Sequence, residues 1–421
     1  MDAENHTQHI AVIGAGIIGL SCALWLKRKG FRVTVVDPQP PGSGTSSGSA
    51  CTIAEYGCIP VNSPDLFRRL PSLLFAKNSP LTVNRIYALR RLGWMVDFLM
   101  HCRAHRVEHI INELGGLLAH TWDGLTPLLD MTEARNLIEE RGFMHVYRDQ
   151  REFDLAWSAN QVRSKHGARF TPLDSRDIND LEPNLKIKFE RGLLFDGIYQ
   201  VLDPLALCER YATYLEQNNS QIVQARVVAL REYSDNVKLS LDNGETIKVD
   251  QTIVAAGAFA KFIDGIGKLT SKLDTERGYH VLYRDQQHLL SRPVSWHFAG
   301  FYATPMNLGL RLAGTVEIAG YHKKQNARIT AYLARKAHEM FDLPETPDQT
   351  WLGFRPTFPD SLPAIGYGTD STRVIFAIGH HHLGLTLSGI TGQLVAELAS
   401  GDEPVHNISA LSPSRLDQGN S

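Results

Sequence analysis

The sequence has no run of about 18 apolar residues, so nothing in it matches the length of a membrane-spanning helix. It also lacks a Cys-x-x-Cys pair. Its five cysteines (Cys22, Cys51, Cys58, Cys102 and Cys208) are odd in number and scattered, which argues against a disulfide frame or a cysteine zinc site and suits reduced thiols. An excess of either charge is missing too. Lys+Arg of 43 against Asp+Glu of 45 leaves a formal −2, whereas a nucleic-acid-binding domain is normally strongly basic. Met1–His9 is polar and does not read as a signal peptide or targeting helix, so a cytoplasmic location is expected. The hydrophobic content of 43% and charged content of 21% are those of a globular protein, and 421 residues give room for two or three domains.

What is present begins at once. His9–Ile13 is a short apolar run of the kind that makes a central parallel strand. Gly14-Ala15-Gly16-Ile17-Ile18-Gly19 follows, then a helical stretch stopped by Gly30, then a second strand from Phe31 to Val36 that ends on Asp37. Each choice has a chemical reason. Gly14 permits the tight turn, Gly16 lets backbone approach a pyrophosphate, and Gly19 lets the helix pack hard against the strand. The helix N-terminus offers free N–H groups to phosphate, and Asp37 is placed to accept hydrogen bonds from a ribose diol. A dinucleotide is therefore expected, without a decision between NAD and FAD.

Features suited to the same ligand continue along the chain. Pro41–Ala50 is a glycine- and hydroxyl-rich loop in which Thr45, Ser46 and Ser47 suit phosphates and a flat ring. Gln221–Leu230, with Val227 and Val228, predicts a strand, and a hairpin follows over Val237–Leu241, Asp242-Asn243-Gly244 and Thr246–Val249. Thr252–Ala258 predicts another buried strand closing on small residues. Arg373–Ile378 predicts a strand leading into Gly379-His380-His381-His382-Leu383-Gly384-Leu385-Thr386 and a helix to Leu398. A glycine-bounded turn into a helix places backbone donors near a flavin's N1–C2=O edge. The three adjacent histidines read as loop residues beside the ring and not as a metal site.

Taken together, the opening glycine motif, Ala255-Ala256-Gly257, Gly314-Thr315-Val316-Glu317, Arg355–Gly366 and Gly379–Thr386 resemble the FAD-dependent D-amino-acid dehydrogenase branch of the D-amino-acid oxidase/glycine oxidase superfamily. The resemblance spans roughly residues 9–400. It implies an α/β fold: a discontinuous Rossmann-like FAD-binding domain with an α+β substrate domain of D-amino-acid oxidase type. It also implies that Val227 or Val228 meets adenine through the backbone, that Gly257 approaches the pyrophosphate, and that the Leu383–Thr386 backbone steadies the reduced flavin. Relatives with covalent FAD attach it through a Cys near the Arg355 segment or a His after the second strand. Neither residue type stands there in this sequence, so non-covalent FAD is expected.

Residues 8–64, 196–274 and 351–402 are assigned to the FAD-binding domain, 65–195 and 275–350 to the substrate domain, and 403–421 to a polar, frayed tail. The first insert reads as largely helical, with Trp94, Met95, Phe98, Leu99 and Cys102 on one apolar face. The second predicts strands over Tyr279–Tyr283, Phe298–Thr304 and Leu308–Ile318 and a helix over Ala327–Phe341. Between Asp65 and Arg106, eight Lys/Arg against two acidic residues give +6. That excess suits either a solvated helical face or peripheral contact with an anionic membrane.

Oxidation of an amino acid requires a carboxylate clamp, alignment with the flavin, and a neutral amine. The planar fork of Arg355 suits the clamp. Tyr279 and Tyr302 are candidates to complete the carboxylate site or line the amine pocket, and Arg277 and Arg311 are further cations in the same insert. Water, His280 or His381 would take the amine proton. The reading is a small amino-acid substrate with a quinone or other carrier as electron acceptor. Alternatives are an oxygen-using oxidase of glycine, sarcosine or a proline-like amine, a flavin-binding subunit without turnover, and a nicotinamide dehydrogenase.

Overall fold

The computed structural model describes residues 7–64, 81–267 and 269–417. Among these, a six-stranded sheet carries the opening motif, in the order Gln221–Gln224, Arg32–Asp37, His9–Ile13, Gln251–Val254, Val374–Ile378, Ala364–Tyr367. All neighbours pair in parallel except the last two, which are antiparallel. His9–Ile13 and Val374–Ile378 are buried almost throughout, as strands covered on both faces must be. Segments far apart in sequence thus share one sheet, and Ile13, Asp37, Val254 and Ile378 close their strands at a common edge, where open α/β sheets bind ligands.

Helix Ile17–Arg28 packs beneath this sheet against helix Ser388–Ser400, which in turn meets helix Thr121–Met131 nearly backbone to backbone. Gly124 and Gly389 make that approach possible. A Cβ at Gly124 would lie 2.2 Å from the Ile390 amide nitrogen, and one at Gly389 would lie 2.4 Å from the Gly124 carbonyl carbon. Trp25 Nε1 donates to Gly124 O at 3.0 Å across the same junction.

A nine-stranded sheet roofs the first. Its path runs Gln349–Thr357, Asp274–Arg284, Gly309–Ile318, Phe301–Met306, Val294–Trp296, Phe143–Tyr147, Arg191–Phe195, Phe170–Asp174, with Leu81–Val83 pairing onto Gly309–Ile318. Strands from both inserts therefore form one sheet, joined where Phe143–Tyr147 pairs with Val294–Trp296. Helix Ala327–Met340 covers its outer face with Ile329, Leu333, Ala337 and Met340.

Several expectations need correction. The first insert is helical from Arg85 to Met131 but also supplies four strands to the roof. The strand predicted over Gln221–Leu230 is two strands, Gln221–Gln224 in the cofactor sheet and Val227–Glu232 in a separate three-stranded sheet with the predicted hairpin. Gln349–Thr357 pairs along its length with Asp274–Arg284, so the roof extends into the stretch assigned to the cofactor domain. The tail is not frayed over its described part. Leu411 and Leu416 are buried, and Arg415 Nε pairs with Asp360 Oδ2 at 2.8 Å while Nη2 donates to Leu362 O at 2.7 Å, satisfying a largely buried carboxylate. Of the basic stretch 65–106, residues 65–80 lie outside the described residues.

On the outer face of the roof, Arg277 and Glu317 form an ion pair at 3.1 Å with side chains 0% and 1% exposed. Removing one partner of such a pair strands a buried charge and costs about 3–5 kcal/mol. Glu317→Leu is expected to lower the unfolding free energy by that order, and Arg277→Met/Glu317→Leu by less than the sum of the two single changes. Equilibrium urea unfolding followed by circular dichroism measures both.

Candidate active site

Between the strand ends and the roof lies a cavity of about 560 Å³. Its lining runs from Asp37 and Val227, through Gly14–Ile18 and Ala255–Gly257, to Trp351, Arg355 and His380–His382. The narrow waist at the first turn depends on glycine. Gly14 has φ +113°, and a Cβ there would lie 2.5 Å from Ala255 O; one at Gly19 would lie 1.9 Å from Gly14 O. Helix Ile17–Arg28 starts at Gly16 with no side-chain cap and no acidic residue in its first turn, which leaves an anion-binding N-terminus. Ile17 N donates to Ser46 Oγ at 2.9 Å, tying the glycine- and hydroxyl-rich loop to that turn. Asp37 is fixed by N–H donors from Ala15 and Gln39, both at 2.8 Å.

The far end is built by strand alternation. On Asp274–Arg284, Glu276 and Gly278 face the cavity; on Gln349–Thr357, Trp351, Gly353 and Arg355 do; on the neighbouring strands, Ala313, Thr315 and Tyr302 do. Arg355 opens onto the cavity, and its Nη1 donates to Thr315 O at 3.0 Å. Gly278 is small because the guanidinium lies over it; a Cβ there would sit 2.5 Å from Arg355 Cζ. His381 Nε2 meets Glu276 Oε1 at 2.9 Å, both side chains buried. Burial pushes the Glu276 carboxyl up, but His381 and then Arg355 outweigh it and hold it below the ordinary carboxylate range. Three cavity residues, Cys51 (φ 66°), Thr315 (φ 61°) and His381 (φ 53°), hold left-handed backbone conformations that non-glycine residues seldom adopt.

Sequence-predicted residues divide accordingly. Gly14, Gly16, Asp37, Thr45, Ser46, Val227, Gly257, Gly384, Leu385, Tyr302, Arg355 and His381 line the cavity. Gly19, Gly379, Leu383 and Thr386 frame it from behind: Thr386 Oγ1 accepts from Ala54 N at 2.9 Å, and a Cβ at Gly379 would strike the Phe358 ring at 2.3 Å. Ser47 turns back to Ser43 O and Gly44 O, and Val228 is 38% exposed on the outside. Tyr279 is on the opposite face of the roof, donating to Glu317 Oε2 at 2.5 Å and accepting from Asn326 N, so it does not contact the cavity. His280 is stacked behind Trp351, ring centroids 4.9 Å apart, and burial with nearby Arg311 pushes its imidazole down to about 3. Arg277 belongs to the ion pair on the outer face of the roof, and Arg311 Nη1 binds Ser47 O and Ser49 O. Glu276 and Trp351 were missed. The strand was expected to begin at Tyr279, and extending it back to Asp274 puts Glu276, two residues before Gly278, on the cavity face.

A family model described as FAD dependent oxidoreductase matches residues 9–398. The chain belongs to that family. As an FAD-dependent oxidoreductase it is 31% identical over 419 residues to a D-amino-acid oxidase of Bradyrhizobium diazoefficiens, covering 97% of this chain and 99% of that one. It is 28% identical over 426 residues to a D-amino acid dehydrogenase of Paramagnetospirillum magneticum, covering 97% and 98%. Its fold is that of glycine oxidase from Geobacillus kaustophilus, with a TM-score of 0.73 at 20% identity over 97% of this chain and 99% of that one.

The cavity fits FAD in this oxidoreductase. The uncapped helix start suits the pyrophosphate, Asp37 the ribose, and the widened end under the roof a flavin ring. Cys51 is the lining cysteine. Burial pushes its thiol up, and Arg311 and Ser49 hold the sulfur, so it is a poor nucleophile toward the cofactor. Precipitation of the yellow protein with trichloroacetic acid should leave the flavin in the supernatant; a yellow pellet would mean covalent attachment.

Proposed function

We propose that this FAD-dependent oxidoreductase oxidises the Cα–N bond of a small amino acid, and that its substrates are D-amino acids. FAD supplies a two-electron acceptor when bound. The chain's own groups anchor the substrate carboxylate, shape the space over the ring and handle the amine proton. The imine product would hydrolyse in water to a 2-oxo acid and ammonia.

The observation that carries this reading is Arg355. Its guanidinium is enclosed by the roof, opens onto the cavity and is bonded to protein through Nη1, which leaves donors to bind a carboxylate. Tyr302, stacked on Phe143 at 5.4 Å, and Tyr56 give the same end aromatic walls suited to a modest side chain. The D-configuration is supported by the names of the 31% and 28% identical relatives.

For the acceptor we favour a quinone or other carrier at an anionic membrane surface. Support comes from exposed Ile86, Leu89, Leu92 and Val96, which lie beside exposed Arg90, Arg103 and Arg106. Oxygen is the second reading, favoured by the relative named as an oxidase.

Four measurements test these points. D-alanine, D-proline and other small D-amino acids should bleach the flavin anaerobically while their L-enantiomers do not; a flavin that no amino acid bleaches removes the substrate assignment. On re-admission of air, slow reoxidation that a quinone analogue accelerates supports the carrier, and rapid reoxidation supports oxygen. Arg355→Ala should retain FAD and lose about 10²- to 10³-fold in kcat/KM, mainly through KM. Pelleting with phosphatidylglycerol vesicles at low salt, but not with phosphatidylcholine vesicles, is expected of the membrane contact.

A further inference from the structure

The histidine triplet of the last loop sends its three rings in three directions. His380 Nε2 pairs with Thr391 Oγ1 at 2.9 Å. His382 lines the cavity and is exposed to it. Between them, His381 Nδ1 lies 2.5 Å from His382 Nδ1, and His381 Nε2 lies 2.9 Å from Glu276 Oε1. A chain of close contacts therefore leads from the cavity surface to a buried carboxylate: a hydrogen bond between the two histidines, then an ion-pair contact in which His381 Nε2 makes no hydrogen bond among the described residues. It is held at a cost: His381 keeps φ 53°, with its N–H donated to Pro356 O at 3.0 Å. Glu276 Oε2 has no hydrogen-bond partner among the described residues, which a carboxylate kept for packing alone would not need.

We propose that His382, His381 and Glu276 form a proton relay that takes the ammonium proton of the bound amino acid before its Cα–N bond is oxidised. This rests on the amino-acid reading above. In the resting relay, His381 keeps its Nε2–H beside Glu276, and His382 Nδ1–H donates to His381 Nδ1, leaving the His382 Nε2 lone pair for the substrate. In transfer, the substrate N–H bond breaks and a His382 Nε2–H bond forms, while His382 Nδ1–H breaks and His381 Nδ1–H forms. No electrons change hands. The proton ends on His381, against Glu276.

The charges of the site make this transfer favourable. Arg355 on strand Gln349–Thr357, Glu276 on strand Asp274–Arg284, and Arg163 on helix Gln150–Lys165 are the ionised groups acting on the relay from the elements around it. Burial lowers the affinity of His382 for a proton, and His381, Arg355 and Arg163 lower it further, so His382 passes a proton on and does not hold it. Before transfer, a zwitterion faces Arg355 and Glu276; afterwards, substrate carboxylate pairs with Arg355 and protonated His381 with Glu276. Two compensated pairs replace an ammonium that cannot give up hydride, and the enclosed site gains no net charge. His382 is the residue that touches substrate; His381 and Glu276 act through it.

Two measurements test the relay. In protein labelled with ¹⁵N-histidine, His382 should be the Nδ1–H tautomer with an unprotonated Nε2; a proton resident on Nε2 would sink the proposal, since no lone pair would face the cavity. The limiting anaerobic rate of flavin reduction should rise with pH along an acid limb. Glu276→Gln should shift that limb to lower pH, because protonated His381 loses its counter-charge, and should lower the plateau about 10- to 100-fold. His382→Asn should lower the plateau similarly and abolish the limb. A merely structural Glu276 would lower rates and leave the limb in place, overturning the relay while the amino-acid reading stands. If no amine reduces the wild-type flavin, the amino-acid reading fails, and with it the relay as a device for an amine.

Discussion

The strand Asp274–Arg284 is buried along all but its last residue and yet carries Asp274, Glu276 and Arg277 near its start. Each of these charges must be met inside the protein, and the rest of the site is organised around how that is done. Asp274 receives Arg91 Nε at 2.8 Å and the Tyr87 hydroxyl at 2.6 Å, which fastens the helical insert to the roof. Arg277 faces outward to Glu317, to which Tyr279 and Asn326 also donate, so the underside of helix Ala327–Met340 closes over a buried polar knot. Glu276 faces inward and reaches His381 on a loop belonging to the other sheet. One strand thus links the two layers, and the cavity between them takes its charge pattern from that strand.

The cofactor half was the more legible part because its demands fall on the backbone. A turn in which a Cβ at either Gly14 or Gly19 would collide with carbonyl oxygen leaves few residues to choose from, and the spacing to Asp37 follows from the length of one helix and one strand. The substrate half obeys a weaker rule. Tyr279, His280 and Glu276 were separable only by knowing where the strand begins and which parity faces the ring, and polar residues occupy both faces here. Tyr279 looks like a substrate ligand by type, but its parity commits it to Glu317. The docking of Leu411 and Leu416 was hidden in a polar tail because only a few apolar residues carry it.

Enclosure disfavours the charged forms of His380 and His382. Burial pushes His380 down to about 3, and burial with neighbouring cations pushes His382 well below its ordinary range. The paired charges at the roof are Arg355 and Glu276, placed opposite each other on adjacent strands. Such a site matches a zwitterion better than a simple acid or a simple amine, since each end of the ligand meets its opposite.

A crystal structure of the FAD-loaded protein with 2-aminoisobutyrate, an amino acid with no hydrogen on Cα, tests the central claim most directly. The account predicts the carboxylate on Arg355 and the amine within hydrogen-bond reach of His382. A carboxylate bound away from Arg355, or an amine pointing away from the histidine loop, would contradict it.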